Sequence, residues 1–163
     1  MVRTLRSALE DRITGKLEIT DAIWPWLVEY ASYLLNRMEV GHDGKTAYER
    51  SKGKAAKVSG IEFGEAVLWK RRPTGGALGK LAVMWEDGIY LGTKGTTGEL
   101  IVGAGEGIYR TRTIQRKPEE DRWREELIRK VQGVPWRKFD QDPEVDGEAM
   151  RSRPLSEEER RVI

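Results

Sequence analysis

The sequence predicts an α+β fold, in which helices precede a small antiparallel β-barrel or sandwich. The first observation is that apolar residues recur at helical spacing in the first third of the 163-residue chain. The second is that residues 60–117 form short runs of β-branched and aromatic residues, separated by turns that contain glycine. A barrel would also remove the exposed edges of so small a sheet.

Two amphipathic helices are predicted before residue 40. Residues 2–13 place apolar side chains three and four positions apart, which is the spacing of one helix face. Residues 23–37 give the stronger pattern, with apolar side chains around most of that helix, so we expect it to pack on two sides. Its main face is predicted to hold Trp24, Leu27, Val28, Ala31, Leu34, Leu35 and Met38, with Trp26, Tyr30 and Tyr33 at the flank.

A turn and a short helix are predicted after residue 40. Thr46 and Glu49 fit the capping box, in which a hydroxyl and a carboxylate bind the first free amides of a helix. The run from Gly44 to Thr46 is also similar to the end of a phosphate-binding loop, but that motif requires a glycine where Glu39 stands. The sequence therefore favours the capped helix.

Four or five short strands are predicted, four of them over residues 65–70, 84–91, 100–102 and 107–114. In the last one, basic residues alternate with apolar or small ones, which places Arg110 and Arg112, with Arg116 just beyond, along one face. After the strands, Pro118 opens a predicted helix that runs towards Val131, with acidic residues in its first turn.

The chain is thus predicted to have four parts. Residues 1–57 form a helical segment, 58–117 the small β-barrel, 118–139 a helix with an aromatic and basic segment, and 140–163 a disordered acidic tail. The barrel segment holds more basic than acidic residues, and the tail has the opposite balance. Because the net charge of the whole chain is only +2, an electrostatic argument depends on where the charges lie.

The composition excludes several classes of site and location. The chain has no cysteine and one histidine, which excludes disulfides and zinc sites of the usual His and Cys kind. No run approaches the ~20 apolar residues of a membrane span, and no signal peptide is visible. The sequence therefore predicts an intracellular protein, nuclear or cytoplasmic, with no membrane partner and no cofactor in this chain.

Basic residues of the barrel segment are the best functional candidates. If the barrel brings the first and fourth strands together, they form one patch close to Trp69 and Tyr109, and such a patch suits phosphates and stacked bases. The sequence leaves open an ordinary solvated face in which Glu62, Glu65 and Glu106 are the charge partners. The predicted nucleic-acid-binding residues are Lys70, Arg71, Arg72, Lys80, Arg110, Arg112, Arg116 and Lys117.

Two other interpretations stay open. The segment could be a protein-interaction module, in which Trp69, Trp85, Tyr90 and Tyr109 form a peptide groove or cage, provided that they are exposed together. It could also be an inactive relic of a longer protein. Catalysis by this chain alone is not expected, because no pair of carboxylates stands out as a metal or acid–base site.

Several short motifs follow one another in a distinctive order. Residues 2–9 are followed by Trp-Pro-Trp-Leu-Val at 24–28, Tyr-Leu-Leu-Asn-Arg at 33–37 and Asp-Gly-Lys-Thr-Ala-Tyr-Glu at 43–49. Phe63-Gly64, Lys80-Leu81, residues 88–92 and residues 110–113 continue the series. Together they resemble the integrase region of copia-like retrotransposon Pol polyproteins (Pseudoviridae). The chain departs from that family at Ala47, where proline is usual.

The resemblance implies the last helices of a ribonuclease-H-like catalytic core, followed by an SH3-like barrel that contacts DNA and other integrase subunits. Such integrases use two aspartates and a glutamate that hold Mg²⁺ or Mn²⁺. By the resemblance these acids lie upstream of Val2, and Glu10 lies too far along its helix to match one of them. The expectation is a truncated C-terminal part of an integrase, which binds DNA during DNA integration but lacks the catalytic acids. The alternative is an inactive transposon relic.

Overall fold

The structure is a computed structural model, and it describes residues 1–70, 85–105 and 107–136. These residues form an α+β fold in which helices pack against a five-stranded antiparallel sheet. The helices are α1 (Val2–Ile13), α2 (Ile23–Met38), α3 (Ala47–Lys52) and α4 (Glu125–Arg129), with a 3-10 turn at Glu119–Asp121. The strands are β1 (Ala66–Lys70), β2 (Trp85–Thr93), β3 (Leu100–Ala104), β4 (Gly107–Thr111) and β5 (Ile114–Arg116).

Helix α2 is rotated relative to the prediction, so that only part of the predicted face is buried. Trp26 and Tyr30 of the predicted flank are buried, whereas Val28, Leu35 and Met38 of the predicted main face are exposed. The ring of Tyr30 lies 5.3 Å from that of Phe63 and 6.0 Å from that of Tyr90, centroid to centroid. Because large aromatic rings bury more surface than aliphatic side chains, they determine which side of the helix faces the sheet. The prediction for this face is therefore confirmed at Leu27, Ala31 and Leu34 and wrong at Val28, Leu35 and Met38.

One hydrophobic core joins the helices to the sheet. Helix α1 contributes Leu9 and Ile13, and α2 lies between α1 and strand β2. The sheet contributes fully buried side chains from its central strands, among them Val67, Trp69, Ile89, Tyr90 and Val102. Helix α2 is thus packed on two sides, as expected from the apolar residues around most of the helix.

The predicted capping box of α3 is confirmed. The hydroxyl of Thr46 accepts a hydrogen bond from the amide of Glu49 at 3.1 Å, and the carboxylate of Glu49 accepts one from the amide of Thr46 at 2.7 Å. Arg50 also binds the carboxylate of Asp43 in the preceding turn, through Nε at 2.9 Å. The run from Gly44 to Thr46 is therefore a turn that leads into a capped helix.

The sheet has the strand order β4-β3-β2-β1-β5, and all neighbouring strands are antiparallel. Strands β1 to β4 form a meander, and β5 returns to pair with β1. Among the described residues no ladder joins β4 to β5, so the sheet is not closed.

The predicted fourth strand is divided in two. Strand β4 ends at Thr111, and after a two-residue break the chain continues as β5 along β1. The hydroxyl of Thr111 donates to the carbonyl of Lys70 at 3.0 Å, although two strands separate β4 from β1 in the sheet order. The sheet is therefore strongly curled. The alternation that placed Arg110, Arg112 and Arg116 on one face does not continue across the break.

The segment after the sheet is less helical than predicted. The 3-10 turn and the short helix α4 replace the single helix expected between Pro118 and Val131. The amide of Ala66 donates to the carbonyl of Arg122 at 2.7 Å, and the Arg122 side chain donates to the carbonyl of Lys117. These hydrogen bonds hold the residues between the 3-10 turn and α4 against the sheet. A continuous helix would not make them.

Within the described ranges, no helix has both the length and the apolar content that crossing a lipid bilayer requires.

Gly64, which precedes β1, provides a test of the contact between α1 and the sheet. Its φ is +82°, and a Cβ at this position would lie 2.7 Å from Cδ1 of Leu9. We expect Gly64→Ala to lower the free energy of unfolding by at least about 2 kcal/mol, because it adds left-handed strain and a steric clash. Urea unfolding followed by circular dichroism measures this.

Gly60→Ala is the matched control, since a Cβ there meets nothing within 4 Å. We expect a change of less than about 0.5 kcal/mol for this surface substitution. Equal effects of the two substitutions would contradict the packing of Leu9 against Gly64.

Candidate nucleic-acid interface

The predicted basic residues that the structure describes lie on or next to strands β1, β4 and β5. Lys70 ends β1, Arg110 lies in β4, and Arg116 ends β5, with Arg112 in the break and Lys117 just after β5. The other predicted residues, Arg71, Arg72 and Lys80, lie outside the described residues.

Arg116 forms an internal ion pair. Its Nε and Nη2 donate to the two carboxylate oxygens of Glu65 at 2.8 and 2.9 Å. The Glu65 side chain is completely buried, and Nε of Arg122 approaches the same carboxylate at 3.6 Å. The hydrogen bond to Glu65 raises the pKa of the Arg116 guanidinium. Arg116 therefore stabilises the fold, and its charge is largely matched.

Arg110 and Arg112 meet at another carboxylate. Nη1 of Arg110 lies 3.6 Å from Oε2 of Glu99, and Nε of Arg112 lies 4.0 Å from Oε1. Glu99 is buried, whereas 76% of the Arg112 side chain is exposed. Lys117 pairs with Asp87 on β2. Among the described residues, the predicted arginines and Lys117 are thus divided among three carboxylates, so they do not form one patch of unmatched positive charge.

The aromatic residues of the sheet do not share an exposed groove. The ring of Trp69 stacks on that of Tyr109, with 4.9 Å between the centroids, and both Trp69 and Tyr90 are fully buried. Trp85 is exposed. A peptide groove of the predicted kind requires Trp69, Trp85, Tyr90 and Tyr109 to be exposed together. The observed geometry therefore argues against such an interaction module.

A different set of basic residues surrounds a cleft between α2, α3 and the β2–β3 turn. The cleft has a volume of about 370 Å³, and we call it the basic cleft. Residues of the helices, of the loop after α3 and of the β2–β3 turn all line it. Its cations are Arg37, Lys54, Lys57 and Lys94, its aromatic residues are Tyr33 and Tyr48, and Ala55, Thr93, Gly95, Thr96 and Gly98 complete it.

Arg37 is held between the two tyrosines of the basic cleft. Its guanidinium carbon lies 3.9 Å from the ring centroid of Tyr33 and 4.8 Å from that of Tyr48. Aromatic faces attract the planar cation electrostatically while leaving its N–H donors at the edge. Arg37 is therefore positioned before any ligand binds.

Hydrogen bonds position the elements that carry the other cations. The capping box orients α3 and with it Tyr48, and Gly53 ends α3 with a φ of +69°, which turns the chain into the loop that holds Lys54 and Lys57. In the β2–β3 turn the amide of Lys94 donates to the carbonyl of Glu99 at 2.8 Å. Helix α3 and the β2–β3 turn are thus each ordered by hydrogen bonds of their own.

The positive charge of the basic cleft is not matched locally. Within the described residues no carboxylate lines the cleft, and none of its four cations forms an ion pair. A concave surface lined by one sign of charge concentrates the electric field and attracts ions of the opposite sign. The arrangement is therefore suited to a polyanion or to a phosphate group.

Comparison with known proteins supplies no relative for this chain. No family model, no curated protein and no solved structure matches it. In the part of the chain that the structure describes, no group of three or more His, Asp or Glu side chains could hold a metal ion. The candidate site therefore depends on the geometry and charge of the basic cleft.

Sequence reasoning missed the basic cleft because its cations are distant in the chain. Lys54 and Lys57 lie in a stretch without helical or strand pattern, and Arg37 and Lys94 belong to different predicted elements. The best indication in the sequence was that Lys54 and Lys57 lie close to Tyr48 and its capped helix. The packing of α2 on both β2 and α3 brings the parts together.

The ion pair of Arg116 predicts a loss of stability on substitution. Arg116→Gln leaves the buried carboxylate of Glu65 with weaker partners, so we expect the free energy of unfolding to fall by about 2–3 kcal/mol. Arg112→Gln, the matched control at an exposed site, should cost less than about 1 kcal/mol. Thermal and urea unfolding of both variants tests this, and an Arg116→Gln protein as stable as Arg112→Gln would contradict it.

Proposed function

We propose that this chain is a nucleic-acid-binding part of a DNA-integration protein of the copia-like retrotransposon type, and that the basic cleft is its contact with the phosphate backbone. The motif order from residue 2 to residue 116 supports the family assignment. We also assign the curled sheet to the SH3-like barrel class, because its last strand returns to the first, as such a barrel requires.

The observation that carries the proposal is the charge of the basic cleft. Arg37, Lys54, Lys57 and Lys94 surround one concavity together with two tyrosines, and no carboxylate within the described residues lines it. Each cation that neutralises a phosphate releases a condensed counterion, which is the main source of sequence-independent affinity for DNA. Tyrosines beside such cations add surfaces for stacking on sugars or bases.

The mode of binding follows from the kinds of group present. Lysines contact phosphates without reading base edges, so the affinity falls with salt and depends little on sequence. The basic residues of β4 and β5 are secondary in this proposal, because Arg110 forms an ion pair with Glu99 and Arg116 forms one with Glu65. Other integrase subunits are proposed partners, for which the exposed Val28, Leu35 and Met38 of α2 provide an apolar surface.

A salt series on the full chain tests the proposal. We expect fluorescently labelled DNA to bind with an affinity that falls steeply as salt rises. In the triple variant Lys54→Gln, Lys57→Gln, Lys94→Gln, most of the affinity should be lost and the log–log salt slope should become shallower by about two to three units, since each duplex phosphate contact adds about −0.9.

The matched control removes the same charge elsewhere. Lys16, Lys45 and Lys130 are exposed and lie outside the basic cleft, so their triple change to Gln should leave the slope almost unchanged. Equal losses in the two triple variants would mean that net charge, not the cleft, drives binding. No binding of DNA by the wild-type chain at low salt would refute the proposed function.

A further inference from the structure

A second, larger cavity adjoins the basic cleft. This cavity has a volume of about 560 Å³ and shares Tyr33, Thr93, Lys94 and Gly95 with the basic cleft. We call it the aromatic pocket. Its volume lies within the range that small-molecule sites occupy, about 300–1,000 Å³. A ligand whose phosphates lie in the basic cleft can therefore place an attached group in the pocket.

The lining of the aromatic pocket combines flat apolar walls with a few polar groups. Trp26, Tyr30 and Tyr33 of α2 form one side, and Leu91, Ile101 and Pro135 are among the residues of the other. The polar side chains include Glu29 and Asn36, which lie four residues before and three after Tyr33 and so share its side of the helix. This combination suits a planar ring that carries hydrogen-bonding groups on its edge.

An exposed tryptophan follows the pocket in the chain. Trp136 comes directly after the lining residue Pro135, and 74% of its surface is exposed. Exposed aromatic side chains next to cationic grooves serve as platforms on which successive bases of a single strand stack. Trp136 is thus the next residue after one that lines the pocket.

We propose that the joined basic cleft and aromatic pocket bind single-stranded nucleic acid, with the phosphates in the cleft and one unpaired base in the pocket. This inference rests on the proposed function, and it names the kind of nucleic acid that the site takes. A base within a duplex is stacked and its pairing edge is occupied, so entering the pocket would cost unstacking and unpairing energy. A single strand avoids most of that cost.

The polar groups of the pocket also favour particular base edges. The Glu29 carboxylate accepts hydrogen bonds when ionised and cannot donate, whereas the amide of Asn36 does both. Partial burial raises the pKa of Glu29, although the residue as a whole is exposed, and a hydrogen-bond donor from a ligand favours its charged form. Cytosine offers an amino group at the position where uracil has a carbonyl oxygen. The pocket should therefore favour cytosine over uracil.

Binding of labelled oligonucleotides to the full chain tests the inference. A mixed-sequence single strand should bind about tenfold more tightly than its duplex, and oligo(dC) more tightly than oligo(dU) of the same length. Trp136→Ala should weaken single-strand binding about tenfold, because a stacked base contributes about 1–3 kcal/mol. Glu29→Gln should abolish the preference for oligo(dC) without abolishing binding.

Matched variants and separate outcomes distinguish this inference from the proposed function. Ile19→Ala truncates an exposed apolar side chain outside the pocket and should change nothing. If duplex binds as tightly as single strand and Trp136→Ala and Glu29→Gln have no effect, the inference is wrong while nucleic-acid binding stands. If neither form binds at low salt, both proposals fail.

Discussion

The buried carboxylate of Glu65 is the interaction on which the arrangement of the sheet depends. It receives two hydrogen bonds from Arg116 at the end of β5, one from the amide of Glu62, and a further cationic contact from Arg122. Three separate parts of the chain thus meet at one charge with no exposure to water. A buried charge of this kind is tolerated only when it has hydrogen-bond and cationic partners. It therefore favours the register of β5 along β1 that brings Arg116 to Glu65.

The register of the sheet in turn positions the candidate site. The carbonyl of Glu65 accepts a hydrogen bond from the amide of Tyr90, and the Tyr90 carbonyl accepts one from Gly64. The ring of Tyr90 packs edge-on against Tyr30 of α2. Strand β2, which leads into the turn with Lys94, and helix α2, which carries Arg37, are therefore fixed relative to each other by a short series of contacts. The basic cleft is the space that this packing leaves between them.

Local signals in the sequence predicted local structure well. The bounds of α1, the capping box at Thr46 and the approximate strand positions depend on neighbouring residues alone. The buried side of α2 did not follow from counting apolar residues, because its rotation is set by the aromatic partners Phe63 and Tyr90, which lie elsewhere in the chain. The division of the fourth strand depends on a contact between Thr111 and the backbone of β1. The candidate site, assembled from distant elements, needed the tertiary structure.

The position of Arg37 against Tyr33 and Tyr48 affects how a nucleic-acid strand would bind. The guanidinium loses little conformational freedom on binding, because two rings already restrict it. Lys54 and Lys57 are exposed on long side chains in a loop and can follow a ligand over several rotamers. The cleft therefore has one fixed anchor and several adaptable contacts. Such a surface can accept a backbone whose phosphates are unevenly spaced, as they are in a flexible strand that passes from one conformation to another.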